Sequence, residues 1–275
     1  MNKYFALFFL LCSAASISNA AHNYYLIDGL HEDNNVIKIW YTALGLLDEY
    51  DKGLNAGFEI LFNQNGKHFS AERGPNWWQY YFGFHAIGSS EHSAVLRIPR
   101  HKRSTIRFNT VCTMSVERGH YLLNTYMRLQ PAMQEQLNQI KHDYWPKDIP
   151  VVGVYYQHPI IPEVQPPWDP VALCERVKHE VKDIGVCKIF LCTDLQDFAM
   201  SFKDHFGPQC VDIPHLRNDT STTPAERGQH ELLTLLLLAE CNMVIAPGSY
   251  QGIGAKMLNP DLQLIELDTF PYALK

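Results

Sequence analysis

Pro150-Val-Val-Gly-Val-Tyr-Tyr156 is apolar throughout, with none of the alternation of a half-exposed strand. Such a run predicts a strand buried on both faces, the environment of a parallel sheet covered by helices. The same texture recurs downstream. A Pro-rich loop (Pro159, Pro162, Pro166, Pro167) leads to a predicted helix from Pro170 to Lys182, and Cys187-Lys-Ile-Phe-Leu-Cys-Thr193 predicts a second buried strand. Asp197 to Phe206 predicts a helix closed by Gly207-Pro208, and Gln209-Cys-Val-Asp-Ile213 a third strand. Glu226 to Glu240 predicts a long Leu-rich helix. After it come strand Met243-Val-Ile-Ala246, helix Ile253–Leu258 and strand Leu262-Gln-Leu-Ile-Glu-Leu267. Strict alternation of this kind predicts an α/β fold: an open, Rossmann-like parallel sheet with helices on both faces.

Upstream the texture differs. Val36 to Tyr50 keeps a helical apolar stripe, and Phe58-Glu-Ile-Leu-Phe62 predicts a strand before the turn Asn63-Gln-Asn-Gly66. Gly74-Pro-Asn-Trp77-Trp78-Gln-Tyr80-Tyr81-Phe82 is unusually aromatic. Packing between domains is the default reading of that run, and a platform for stacking sugars the alternative. Glu117 to Met127 and Pro131 to Tyr144 predict two more helices, with Pro131 suited to a first helical turn. The change of texture near Lys147–Pro150 sets the expected organisation: residues 1–20 a leader, 21–148 an N-terminal α/β domain, 149–275 a C-terminal Rossmann-like domain.

Met1-Asn2-Lys3, the apolar stretch Tyr4 to Ala15 and the small residues of Ser18-Asn19-Ala20 together predict a signal peptide. The expected protein is therefore exported, either secreted, periplasmic or in a secretory lumen; a retained signal anchor is the competing reading. Six cysteines remain beyond the leader, which permits three disulfides in an exported chain. Cys192 and Cys241, set in apolar patterns, read instead as buried core thiols. The chain has 275 residues, 23 Lys+Arg and 29 Asp+Glu, a net charge of −6. That balance excludes the basic footprint of a nucleic-acid binder. The basic cluster Arg97, Arg100, Lys102, Arg103 and Arg107 is short. No metal site is expected, because His230-Glu231 has Thr234 where a zinc-binding helix needs its second His.

Ligands of open parallel sheets bind beyond the carboxyl ends of the strands, so the loops there carry the candidate site. Tyr155-Tyr156-Gln157-His158 follows the first strand and Thr193-Asp194 the second. Pro247-Gly248-Ser249-Tyr250-Gln251-Gly252-Ile253-Gly254 leads from a buried strand into a helix, making backbone amides available to an anion such as a diphosphate. A permissive strand-to-helix turn is the alternative. Glu163 and Asp194 are the carboxylates nearest this edge.

Several of these segments, taken in order, resemble the GDP-fucose-dependent fucosyltransferase superfamily: the nodulation-type α-1,6-fucosyltransferases and the protein O-fucosyltransferases. The resemblance is carried by Tyr126-Met-Arg128-Leu-Gln-Pro131, Val151-Val-Gly-Val154-Tyr-Tyr-Gln157 and Lys188-Ile-Phe-Leu-Cys-Thr193-Asp194. It continues through His230 to Ser249 and Asn259-Pro260-Asp261-Leu262, with Gly74 to Phe82 similar to the family's N-terminal part. It implies a GT-B-like pair of Rossmann-like domains with the active site between them. The implied activity is transfer of fucose or a related sugar from a nucleotide diphosphate to a glycan or protein hydroxyl, without a metal cofactor. Thr193, Asp194 and Ser249 match donor-contact positions, joined in the candidate donor site by His158, Gly248, Tyr250, Gly252 and Gly254. Glu163, Asp194 and Gln157 are the candidate catalytic positions.

The departures are specific. Where the family carries His-x-Arg, this chain has Tyr155 and Gln157; its Asp-Lys pair reads Ile160-Ile161, and Leu195 and Thr234 replace two further carboxylates. The family's N-terminal Gly-rich loop reads Glu32-Asp-Asn-Asn35. A neutral Gln cannot supply the bidentate charge of a guanidinium to a diphosphate. A degenerate relative that binds glycan or nucleotide without turnover is thus the alternative function.

Overall fold

A computed structural model describes residues 23–28, 36–61, 70–73, 76–91, 93–98, 114–156, 170–211, 213, 216, 222–247 and 250–267. The expectations for the leader, the 63–66 turn, Arg100 to Arg107 and Cys112 lie outside the described residues. So do those for Gln157, His158, Glu163, Gly248 and Ser249. The chain falls into two compact units, Met1–Asn34 with Lys38–Cys112 and Asn35–Ile37 with Thr113–Lys275. This division lies at Cys112–Thr113, whereas the change of sequence texture lies at Lys147–Pro150.

In the N-terminal unit the elements are β1 (Asn23–Asp28), α1 (Val36–Asp51, all but its first two residues), β2 (Gly57–Leu61), a 3-10 turn (Trp77–Tyr80), β3 (Ala86–Gly88) and β4 (Ala94–Arg97). The sheet order is β3-β2-β1-β4. β1 runs parallel to β2 and β4, and β3 antiparallel to β2, so the sheet is mixed. At the β2–β3 pairing Gly57 faces Gly88, both at positive φ (131° and 80°). A Cβ on Gly57 would lie 1.9 Å from the Ile87 carbonyl oxygen, so only glycine permits this approach.

The aromatic run is interior. Trp77, Trp78, Tyr81 and Phe82 are buried, and Trp78 stacks on Phe82 with ring centroids 4.2 Å apart. Phe84 meets Trp78 edge-on at 6.1 Å and Phe58 of β2 at 6.4 Å. Rings packed in this way have no face to offer a sugar, which removes the stacking-platform reading for both tryptophans.

The second unit contains α2 (Val116–Tyr126), α3 (Pro131–Tyr144), β5 (Val151–Tyr156), α4 (Pro170–Lys182), β6 (Lys188–Thr193) and α5 (Gln196–Phe206). It continues with β7 (Cys210–Val211), α6 (Pro224–Ala239), β8 (Met243–Pro247), α7 (Tyr250–Leu258) and β9 (Gln263–Leu267). Its five strands are all parallel, in the order β7-β6-β5-β8-β9. Every residue of β5 is buried, as the apolar run requires.

Alternate residues of the strands feed two different layers. Val152, Val154 and Tyr156 pack with Leu173, Val177 and Val181 of α4 and Phe198, Phe202 and Phe206 of α5. On the opposite face α6 comes close enough that a Cβ on Gly153 would stand 2.8 Å from Leu238 Cδ2. Helices therefore cover both faces. A capping box starts α6: Thr223 Oγ1 accepts from the Glu226 amide at 3.3 Å, and Glu226 Oε2 accepts from the Thr223 amide at 2.7 Å.

Cys174, Cys187, Cys192, Cys210 and Cys241 carry thiols rather than disulfides, so the three bridges that the cysteine count permits are not formed among them. Strand parity sends Cys187 to the α4–α5 layer and Cys192 to the α6 side, too divergent to bond. No helix among the described residues is long and apolar enough to cross a membrane, and none of their His, Cys, Asp and Glu side chains form a group of three or more suited to a metal.

Candidate functional site

Strand order locates the site's edge. The chain moves outward from β5 to β6 and β7 on one side, then returns to place β8 and β9 on the other. The reversal lies between β5 and β8, which pair as Val152↔Met243, Gly153↔Val244 and Val154↔Ile245. At such a switch point the two following loops diverge and open a crevice. β5 ends at Tyr156 and β8 at Pro247, so the residues next in sequence to both of these strand ends are the candidate segments at Gln157 and Gly248.

β6 ends beside them, with Tyr156 opposite Thr193 and Tyr155 opposite Cys192. Thr193 is half-buried, and its Oγ1 accepts the Leu195 amide at 3.2 Å, a local turn that starts α5. The hydroxyl thus shapes the loop that carries Asp194, which is exposed.

Tyr155, part of the buried strand expected from Pro150 to Tyr156, lies inside β5 and is 4% exposed. Burial first, then the neighbouring Cys192, Glu231 and Asp194, hold its phenol well above the usual tyrosine range. It is therefore a neutral O–H at any physiological pH. Where the family resemblance puts a titratable histidine, this chain places a group that cannot gain a positive charge.

The helix after β8 starts earlier than its sequence suggests, at Tyr250 instead of Ile253. Its first amides, of Tyr250 to Gly252, precede the intrahelical ladder and are the ones a helix N-terminus directs outward. Gly252 is within this set and buried. Gly254, fifth in the helix, is buried and has its amide inside the ladder.

Glu231, on the third turn of α6, was not among the sequence candidates, yet its charge acts on Tyr155 beside that of Asp194. Parity would have found it. Gly153 and Tyr155 share one face of β5, and α6 runs back along that face with Leu238 over Gly153. Glu231 lies two helical turns earlier, toward the carboxyl end of the strand.

No protein-family model matches the sequence, and no curated protein does so. Solved structures do. The fucosyltransferase NodZ co-crystallised with GDP aligns with a TM-score of 0.58 at 13% identity, over 90% of this chain and 96% of that one. NodZ from Bradyrhizobium aligns at 0.53 with 15% identity, over 89% and 95%. POFUT1 in complex with GDP aligns at 0.50 with 9% identity, over 91% and 100%. Identities this low speak to fold alone: the chain is a mixed α/β protein with a fucosyltransferase-like fold.

Proposed function

We propose that the protein binds a nucleoside-diphosphate sugar, with GDP-fucose or a related donor the first choice, and acts as a glycosyltransferase on a glycan or protein hydroxyl. One observation carries this reading. The reversal of strand order at β5 and β8 falls at the strand end that Gly248-Ser249 links in sequence to α7, in a fold similar to that of NodZ crystallised with GDP. In the proposed arrangement the donor's diphosphate faces the amides of Tyr250 to Gly252, and Gly248, Ser249 and His158 serve the same donor. Thr193 and Asp194 meet the nucleoside, and Glu163 serves the acceptor hydroxyl. The two units form a GT-B-like pair. Residues 1–20 direct export, and the reaction uses no metal. Catalysis of this type rests on stabilising the departing diphosphate and positioning the sugar.

Gln157 favours a second reading, binding without turnover. At the position matching the family's Arg it offers a diphosphate no positive charge, and Tyr155 two residues earlier stays neutral. One experiment separates the two. Titrate the mature protein with GDP by calorimetry, then assay donor hydrolysis in wild type and Gln157→Arg. Saturable binding with hydrolysis that Gln157→Arg raises tenfold or more supports a transferase. Binding without hydrolysis in either protein supports a binding module, and no binding of any guanine nucleotide ends both.

A further inference from the structure

The far end of α7 is held by α2. Gly119 of α2 lies against Met257, so closely that an added Cβ would stand 2.6 Å from Met257 Sδ and 2.7 Å from its Cγ. The next residue, His120, donates from Nδ1 to the Met257 carbonyl oxygen at 3.0 Å. Its Nε2 accepts from Asn124 Nδ2 at 2.9 Å, which fixes the tautomer by the network it joins. The Met257 oxygen is among the last four carbonyls of α7, which have no amide in their own helix. A side chain of another element thus caps this helix. Nearby, Lys256 Nζ donates to the Leu262 carbonyl, and Asn259 Nδ2 to the Ala239 carbonyl at 2.8 Å.

We propose that Gly119 and His120 are positioning residues for the donor site: they set the depth and tilt of α7, and hence where the amides of Tyr250 to Gly252 stand. This rests on the donor reading above. Nine residues of helix span only about 13 Å, too short to bend appreciably, so a displacement at Met257 passes to the first turn. Glycine at 119 fixes the distance between the helices, and the His120 hydrogen bond fixes the axial register. The first contact is steric and the second directional, so each can be altered alone.

Hydrogen exchange on the ligand-free full chain, paired with GDP calorimetry, tests this. In His120→Ala and Gly119→Ala, exchange at Ile253 to Met257 should rise about tenfold while β5 and β6 keep their protection, and the GDP Kd should weaken about tenfold. His120→Asn keeps a donor near the Nδ1 position and should restore both values. Gly119→Ala/Met257→Ala should recover most of the loss caused by Gly119→Ala. Unchanged exchange across α7, or equal loss of protection in β5 and β6, would overturn the proposal. If the wild type binds no GDP, the donor reading falls with its affinity clause, while the exchange data still decide whether α2 positions α7.

Discussion

Gly153 is the residue on which the second sheet's layering turns. With no side chain there, Leu238 and Cys241 from the α6 side come within van der Waals reach of the β5 backbone. A Cβ would meet Leu238 Cδ2 at 2.8 Å and both Cys241 Sγ and Val244 Cγ2 at 3.1 Å. Gly153→Ala should destabilise the protein by about 1–3 kcal/mol, the usual cost of overpacking, and Gly153→Val by more. Urea unfolding measures this, and an unchanged midpoint for Gly153→Val would show that α6 does not pack as described. The same face carries Tyr155, which ties residue-scale packing to the site's edge. Sequence alone shows a glycine inside an apolar strand, a pattern that signals close approach without naming the neighbour.

Among elements, α6 is the longest helix of the second unit, and its start is well specified. Thr223 and Glu226 exchange hydrogen bonds ahead of the Leu-rich run, satisfying two donors that would otherwise face solvent. Thr223→Ala should cost about 1 kcal/mol of stability, read as a lower urea midpoint with an unchanged slope. Thr223→Ser should restore most of it, and a Thr223→Ala midpoint equal to wild type would rule the cap out as a contributor.

The elements legible from sequence share this property of strong local signals. β5, β6 and β8 have continuous apolar runs, and α4 to α6 have periodic stripes between clear stops. β1, β3 and β4 were not legible, for different reasons. β1 has polar ends and directly follows the expected leader, while β3 and β4 are three and four residues long and largely exposed. Pairing with distant strands holds such segments in place, and no local window contains that information.

Across the whole molecule, burial of ionisable groups makes stability fall in alkali. Cys192 and Cys241 are buried, and loss of hydration pushes both thiols up; Tyr155 is pushed up by the same cause. The unfolded chain releases thiol protons near pH 8.5 and phenol protons near pH 10, about the values of exposed groups. Above those values the folded state binds more protons than the unfolded one. The stability these groups contribute is therefore complete below about pH 8.5 and is lost as pH rises toward their folded values, by about 1.4 kcal/mol per pH unit per group. Urea midpoints should drop between about pH 9 and 10, with a shallower drop in Cys192→Ala. A midpoint that stays level in this range would mean that the thiols are not buried.

By itself the sequence determined that the C-terminal half is a parallel sheet between helix layers, because strands buried on both faces must be apolar at every position. It also marked the loops after β5, β6 and β8 as the places to look for chemistry. The order β7-β6-β5-β8-β9 came only with the tertiary structure. Parallel alternation is compatible with several strand orders, and the choice among them is made by packing between residues far apart in the chain. That order sets β5 beside β8, opens the sheet beyond Tyr156 and Pro247, brings Glu231 toward Tyr155, and gives α7 a brace from α2.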